Sequence, residues 1–327
     1  MKTIRWGILG AGRIAGVFAK SLALVEGAEL IAVGSRSQET ADAFAQAHAI
    51  PRRYPSYQAL AEDADIDVIY IATPHPMHAE NIERCLQAGK AVLCEKPFTL
   101  NAAQSAAVIR LAREKRLFLM EAMWSRFLPA LVKVRQLLSL GAIGEPRILS
   151  ANFGFRAPFD PQSRLFNPEL GGGTLLDVGV YVLSLASMIF GAPASIHSSA
   201  HLGKTGVDEQ SAYLLGYPNG AFASLFSAVA TDSSRQADLY GEKGSLHLPS
   251  PWYAAKQVVF KRPEKPDEVF DCPYEGSGFQ FEAQEVMRCL QKGSTESRIM
   301  PLDETLSIMQ TMDTIRAQWG LRYPGEG

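Results

Sequence analysis

The stretch running from Ile4 to Ala15, "IRWGILGAGRIA", restricts what this chain can fold into more than any other. A short apolar run of strand character leads into G-x-G-x-x-A. Ile14, Val17, Phe18 and Leu22 then follow at the three- and four-residue spacing of an amphipathic helix. Gly10 permits the tight turn between strand and helix, Gly12 lets the backbone approach a pyrophosphate, and Ala15 lets the helix close on the strand. Arg13 and Ile14 open the helix, whose free N–H groups and dipole favour an anion. A tight βα turn needs small residues even without a ligand. With its strand, its helix and its N-terminal position, the motif makes dinucleotide binding the expectation.

The alternation continues: strands are expected at 28–35, 67–74, 91–97 and 117–120, with helices at 40–48, 77–88 and 102–115. Strands and helices at this spacing imply right-handed crossovers and a parallel, doubly wound Rossmann sheet over residues 1–121. Ligands of such sheets bind beyond the carboxyl ends of the strands. The second strand ends in Ser35-Arg36, without the acid that holds both ribose hydroxyls of NAD, so the guanidinium of Arg36 is expected to take a 2′-phosphate and NADP is expected over NAD. The plain alternative is a solvated loop arginine. The third strand ends at Thr73-Pro74, with His75 and His78 on the turn that follows, as helix caps or cofactor contacts. The fourth ends abruptly in Glu95-Lys96-Pro97, which sets a lysine at the ligand edge of the sheet.

Beyond residue 121 the pattern changes to a second domain, 122–327. Residues 124–140 read as a helix, and 146–155 begin a series of mostly antiparallel strands. Residues 212–229 form a hairpin across Pro218-Asn219-Gly220, with further strands at 236–240, 245–248 and 256–260. "GGGTLLDVGVYVLSLASMIFG" (171–191) is a helix entered from a glycine run, on which Asp177 and Tyr181 share a face with Ser184 close by. On burial statistics alone, such a tyrosine makes one structural hydrogen bond.

Taken in order, G-x-G-x-x-A, "TPHPMH", "EKP" and "GGGTLLDVGVY" resemble the glucose-fructose oxidoreductase / inositol dehydrogenase (Gfo/Idh/MocA) family. "AVLCEKPFTLNAAQ" and "LFLMEAMWSRFLPA" resemble its branch with dimeric dihydrodiol dehydrogenase and NADP-dependent D-xylose 1-dehydrogenase. The resemblance covers nearly the whole chain. It implies a nucleotide-binding domain followed by an α+β domain on a large, mostly antiparallel open sheet, which commonly serves as the interface of a dimer or tetramer. It implies that Lys96 and Tyr181 are catalytic, with the tyrosine standing where many members carry histidine. Relatives often add a second arginine a few residues past Arg36, where this chain has Gln38-Glu39-Thr40.

The chemistry this implies is hydride transfer from a sugar or cyclic polyol hydroxyl to nicotinamide. Lys96 favours the phenolate of Tyr181 and stabilises the developing alkoxide. Asp177 binds or orients a substrate hydroxyl, and Glu95 positions Lys96 or a cofactor group. Trp124, Arg126, Phe153, Phe155 and Phe279 are candidate walls of the site, Trp124 and Arg126 on the cofactor side, and Arg164 is a further substrate contact. Oxidation of an aldose at C1 is the simplest reading. A trans-dihydrodiol, a redox-neutral NAD-dependent glycosidase and a non-enzymatic NADP sensor are the rivals.

Composition removes other classes. A net charge of −2, with no block of Lys or Arg, offers nucleic acid no footprint. No membrane-spanning run and no leader-like N-terminus is read, so a cytoplasmic location is expected. Cys85, Cys94, Cys272 and Cys289 lack metal-type spacing and are expected as reduced thiols, and no metal is expected.

Overall fold

The computed structural model describes residues 3–326. Its chain divides into two compact units, Met1–Trp124 with Glu275–Leu306, and Ser125–Tyr274 with Ser307–Gly327.

In the first unit β1 (Ile4–Leu9), α1 (Arg13–Leu22), β2 (Ala28–Gly34), α2 (Gln38–His48), β3 (Arg52–Tyr54), α3 (Tyr57–Ala61), β4 (Val68–Ile71), α4 (His78–Gln87), β5 (Ala91–Glu95), α5 (Ala102–Lys115) and β6 (Leu119–Ala122) follow one another. The strands pair in parallel in the order β3-β2-β1-β4-β5-β6. This order reverses between β1 and β4, the switch point at which doubly wound sheets bind ligands. β4 and β5 are buried along their whole length, as strands covered on both faces must be. That is why they read as unbroken apolar runs.

A single cut after residue 121 does not describe this unit. α8 (Gln280–Gln291) returns to pack on α1. Ser277 Oγ lies 2.6 Å from Ser21 Oγ, and Arg113 of α5 forks onto Glu296 and Asp303 at 2.9 Å each. These contacts join residues far apart in the chain and carry no local periodicity.

In the second unit α6 (Pro129–Ser139) precedes β7 (Pro146–Gly154). α7 (Val180–Phe190) and the strands β8 (Ser195–Leu202), β9 (Asp208–Gly216), β10 (Phe222–Ala228), β11 (Ala237–Gly241), β12 (Ser245–Leu248), β13 (Gln257–Lys261) and β14 (Glu268–Asp271) follow, and the last helix, α9 (Leu302–Trp319), belongs to this unit from Ser307 on. Among the described residues the sheet order is β14-β13-β12-β11-β7-β10-β9-β8, antiparallel except for β7 with β10. The hairpin forms across Pro218-Asn219-Gly220 as the turn residues dictate. Along β9 and β10 buried and exposed residues alternate. The covered face packs on α7, and the other is open and carries Leu214, Phe222, Phe226 and Tyr240.

The helix expected over 124–140 is broken. Trp124–Phe127 is a 3₁₀ turn, and Pro129 forces Leu128 to an extended ψ of 144° before α6 starts. The segment Pro168–Phe190 is long and apolar enough to cross a membrane, which the sequence reading passed over. Its apolar window is 78% buried inside the protein, as expected of a core helix.

Candidate active site

In the first unit, the turn after β1 has the shape its glycines suggest. Gly10 adopts φ +102°, and a Cβ there would lie 2.8 Å from the Ala72 carbonyl oxygen. The end of β4 therefore crosses close beneath the turn, and only glycine fits. At Gly12 a Cβ would meet nothing within 4 Å, and Gly12 offers α1 no capping side chain. The helix N-terminus is thus presented with open space before it, which fits a pyrophosphate. Arg13 is exposed and Ile14 half-buried beside it.

At the end of β2, Ser35 is buried and Arg36 is exposed. Ser37 caps α2, its hydroxyl accepting the Thr40 N–H at 3.2 Å, so Arg36 is the polar side chain left to face solvent between them. Burial pushes the Tyr57 hydroxyl up, while the charges of Arg36 and Arg84 pull it back.

His78, expected as a helix cap or a cofactor contact, sits inside the unit. It is fully buried, with Nδ1 2.8 Å from Pro97 O and Nε2 2.9 Å from Thr73 O. Burial pushes its pKa below the ordinary value, against the two carbonyls, which favour the protonated ring. The ring ties the ends of β4 and β5 together beneath the ligand edge. Thr73 is held from the same side by Asn81, while Pro74 is exposed and His75 half-buried above.

At the end of β5, Glu95 is buried and one oxygen accepts the hydroxyl of Tyr70, itself stacked on Phe18 with ring centroids 3.7 Å apart. Glu282 of α8 is 0% exposed with neither carboxyl oxygen hydrogen-bonded. Burial, then the charge of Glu95, push the Glu282 carboxyl well up, so it is the neutral acid of the pair. One oxygen of Glu95 is thus tied to the inside of the unit through Tyr70. The next residue, Lys96, is half-buried, so β5 turns one charged group inward and the next toward the edge. Trp124 and Phe279 stack on each other at 4.9 Å, bringing two of the expected wall aromatics together.

In the second unit, Gly171 and Gly173 adopt positive φ before a π-type turn, Leu175–Gly179, leads into α7. The sequence reading missed this widened turn, a form that recurs at functional sites. Asp177 lies within it, buried, gripped by the fork of Arg164 at 2.7 Å to Oδ1 and 3.3 Å to Oδ2. The two expected substrate contacts thus form one ion pair, presented by an arginine that is itself about half exposed. Tyr181 is buried, and its ring meets the edge of Phe153 at 5.3 Å. Phe153 stacks on Tyr253 at 3.8 Å and 7°, and Phe155 lies 6.4 Å from Phe153. Tyr253, on the turn Trp252–Ala254, went unnoticed because nothing periodic surrounds it. Arg126 is buried and donates to Ser184 Oγ at 2.9 Å and Ser184 O at 2.7 Å. It fastens the 3₁₀ turn to α7, the helix that carries Tyr181.

Residues 4–123 match the family described as "Oxidoreductase family, NAD-binding Rossmann fold", and residues 131–247 match the GFO/IDH/MocA C-terminal domain. The chain is 39% identical over 332 residues to trans-1,2-dihydrobenzene-1,2-diol dehydrogenase of Xenopus tropicalis, covering 98% of this chain and 99% of that protein. It is 37% identical over 330 residues to the enzyme of the same name from Homo sapiens, covering 98% of each. A 3-ketoreductase from Actinomadura kijaniata, solved with NADP and TDP-benzene, is similar with a TM-score of 0.86 at 27% identity over 97% of this chain and 98% of that one. That ketoreductase has also been solved with a lysine replaced by alanine and with a tyrosine replaced by phenylalanine. An aldose-aldose oxidoreductase from Caulobacter crescentus, solved with glycerol, shares the fold with a TM-score of 0.88 at 24% identity over 98% and 99% of the two chains.

Proposed function

Since the chain belongs to the GFO/IDH/MocA family of NAD(P)-dependent oxidoreductases acting on CH–OH groups, we propose that its substrate is a sugar or related cyclic polyol, most simply an aldose oxidised at C1. The observation that carries this reading is the Tyr181 ring set against the stacked Phe153 and Tyr253, with the Asp177–Arg164 pair four residues before that tyrosine in the chain. Aromatic rings, a hydroxyl and a charged fork together suit a ring with one apolar face and several hydroxyls. A trans-dihydrodiol is the second reading, favoured by the printed name of the relatives at 39% and 37% identity.

Tyr181 removes the proton of the reacting hydroxyl, and Lys96 lowers the cost of the phenolate and of the alkoxide. A nicotinamide dinucleotide held at the β1–α1 turn would supply the hydride acceptor or donor, which no side chain can be. Asp177, held by Arg164, orients a second hydroxyl. NADP is the preferred dinucleotide in this reading, with Arg36 on the 2′-phosphate. The missing acid at the end of β2 and the NADP bound by the similar ketoreductase support it. The enzyme acts in the cytoplasm as a homo-oligomer, in keeping with four buried, unbridged cysteines and with the open face of the large sheet.

A panel of aldoses, inositols and trans-diols with NADP and NAD, followed by absorbance of the reduced cofactor, tests the substrate class. Tyr181→Phe is expected to lower kcat by roughly 10²- to 10⁴-fold with cofactor affinity unchanged. Near-wild-type kcat in this variant, or turnover confined to non-carbohydrate alcohols that lack a vicinal diol, would refute the mechanism or the substrate class respectively.

A further inference from the structure

Beneath the widened turn lies a buried polar chain that the reaction described above does not use. Asp208, the first residue of β9, is 0% exposed. Its Oδ2 accepts the backbone N–H of Leu175 at 2.8 Å, the first amide of the turn, and the hydroxyl of Ser211 at 3.3 Å. Ser211 Oγ lies 2.6 Å from Tyr213 Oη, which lies 2.7 Å from Ser227 Oγ, all three residues being buried. The turn meets this chain at two glycines. A Cβ on Gly173 would fall 2.1 Å from Asp208 Oδ1, and one on Gly179 would fall 2.7 Å from Tyr213 Oη and 3.1 Å from Ser227 Oγ. Between the two glycines stands Asp177, and two residues past the second stands Tyr181.

We propose that Asp208, with the hydroxyls of Ser211, Tyr213 and Ser227, is a positioning residue for the reaction: it holds the turn Leu175–Gly179 and so sets where Tyr181 and Asp177 are presented. This rests on the reading of Tyr181 as the acid–base group. Ordinary capping of a helix end by an exposed Asp or Ser leaves the acceptor in water. Here the carboxyl is sealed in, Oδ1 has no hydrogen-bond partner, and two glycines are needed to let the backbone come so close.

The anchor is also ionisable. Burial pushes Asp208 up to about 7, while the amides of Leu175, Asp208 itself and Thr174 and the hydroxyl of Ser211 pull it back. The titratable groups that face it are Tyr213 and Tyr323, both pushed up by burial and by its charge, with Arg316 and Glu326 beside Tyr323. On the turn itself Asp177 is paired with Arg164. A carboxylate accepts an N–H more strongly than the neutral acid, so the turn is held tighter above neutrality than below it.

The test compares wild type with Asp208→Asn, which keeps the shape and removes the ionisation. Three readouts are taken from about pH 5.5 to about pH 9: kcat and KM, NADPH affinity by fluorescence, and amide exchange over residues 175–181 corrected for intrinsic rates. Wild type is expected to gain kcat and exchange protection through a limb near pH 7. In Asp208→Asn that limb disappears and kcat at alkaline pH falls roughly tenfold, while KM and NADPH affinity stay within about twofold. An unaltered limb together with unaltered exchange overturns the proposal. If Asp208→Asn does not fold, Ser211→Ala decides: losing a donor to the carboxylate must move the limb to higher pH, and an unmoved limb overturns the proposal. If wild type turns over no sugar or diol, the functional reading falls, and the exchange comparison alone decides the anchor.

Discussion

Glu282 is 0% exposed, and neither of its carboxyl oxygens takes a hydrogen bond from a described protein group. Such a group is tolerable only as the neutral acid. Its folded pKa is raised, so from about pH 4.3 upward the unfolded chain releases a proton that the folded one keeps, and stability contributed by this group is lost as pH rises. Replacing Glu282 by Gln removes that slope. The melting temperature of Glu282→Gln minus that of wild type is expected to grow by roughly 3 °C or more between about pH 5 and about pH 8. A constant difference would show that Glu282 keeps no proton. Lys96 was legible in the sequence because a lysine between an apolar strand and a proline is locally odd. Glu282 was not, since a glutamate in "FQFEAQEV" reads as an ordinary helix residue until the fold brings it beside Glu95.

Among the elements, the β1–α1 turn separates structural from ligand-directed glycine. Gly10 is required by its backbone conformation and by the Ala72 carbonyl. At Gly12 a Cβ would meet no atom of the described residues within 4 Å, so packing does not require glycine there. Gly12→Ala is therefore expected to shift the melting temperature by less than about 3 °C while weakening NADPH binding roughly tenfold or more, read by calorimetry and fluorescence titration. Unchanged affinity would remove the pyrophosphate from this turn. The turn was readable because every residue of the motif acts within a few positions of the next. The widened turn of 175–179 was not readable as such. An i, i+4 spacing of Asp177 and Tyr181 predicts one helix face, but Arg164 takes the aspartate and Phe153 with Tyr253 frames the tyrosine.

Across the whole chain, the open face of the large sheet remains to be accounted for. Leu214, Phe222, Phe226 and Tyr240 are 38–47% exposed on one face of the sheet, on β9, β10 and β11, apolar surface of a kind that isolated monomers rarely keep. The proposed homo-oligomer buries it. Phe226→Glu is expected to convert the wild-type oligomer to monomer in light scattering after gel filtration while NADPH still binds, since the nucleotide turn lies in the other unit. A monomeric wild type would dismiss the interface outright.

The sequence by itself determined the parallel nucleotide-binding sheet, the G-x-G-x-x-A turn, the hairpin at Pro218-Asn219-Gly220 and the family, because period, turn chemistry and ordered motifs are short-range signals. Only the tertiary structure decided that α8 returns to the first unit, that Glu95 faces Tyr70 and Glu282, that His78 braces two strand ends, and that Asp208 holds the turn before Tyr181. Each of these joins groups that are not neighbours in the chain, by burial and hydrogen-bond satisfaction. A buried polar group must find its partner in space, and the order of residues along the chain carries no mark of where that partner will be.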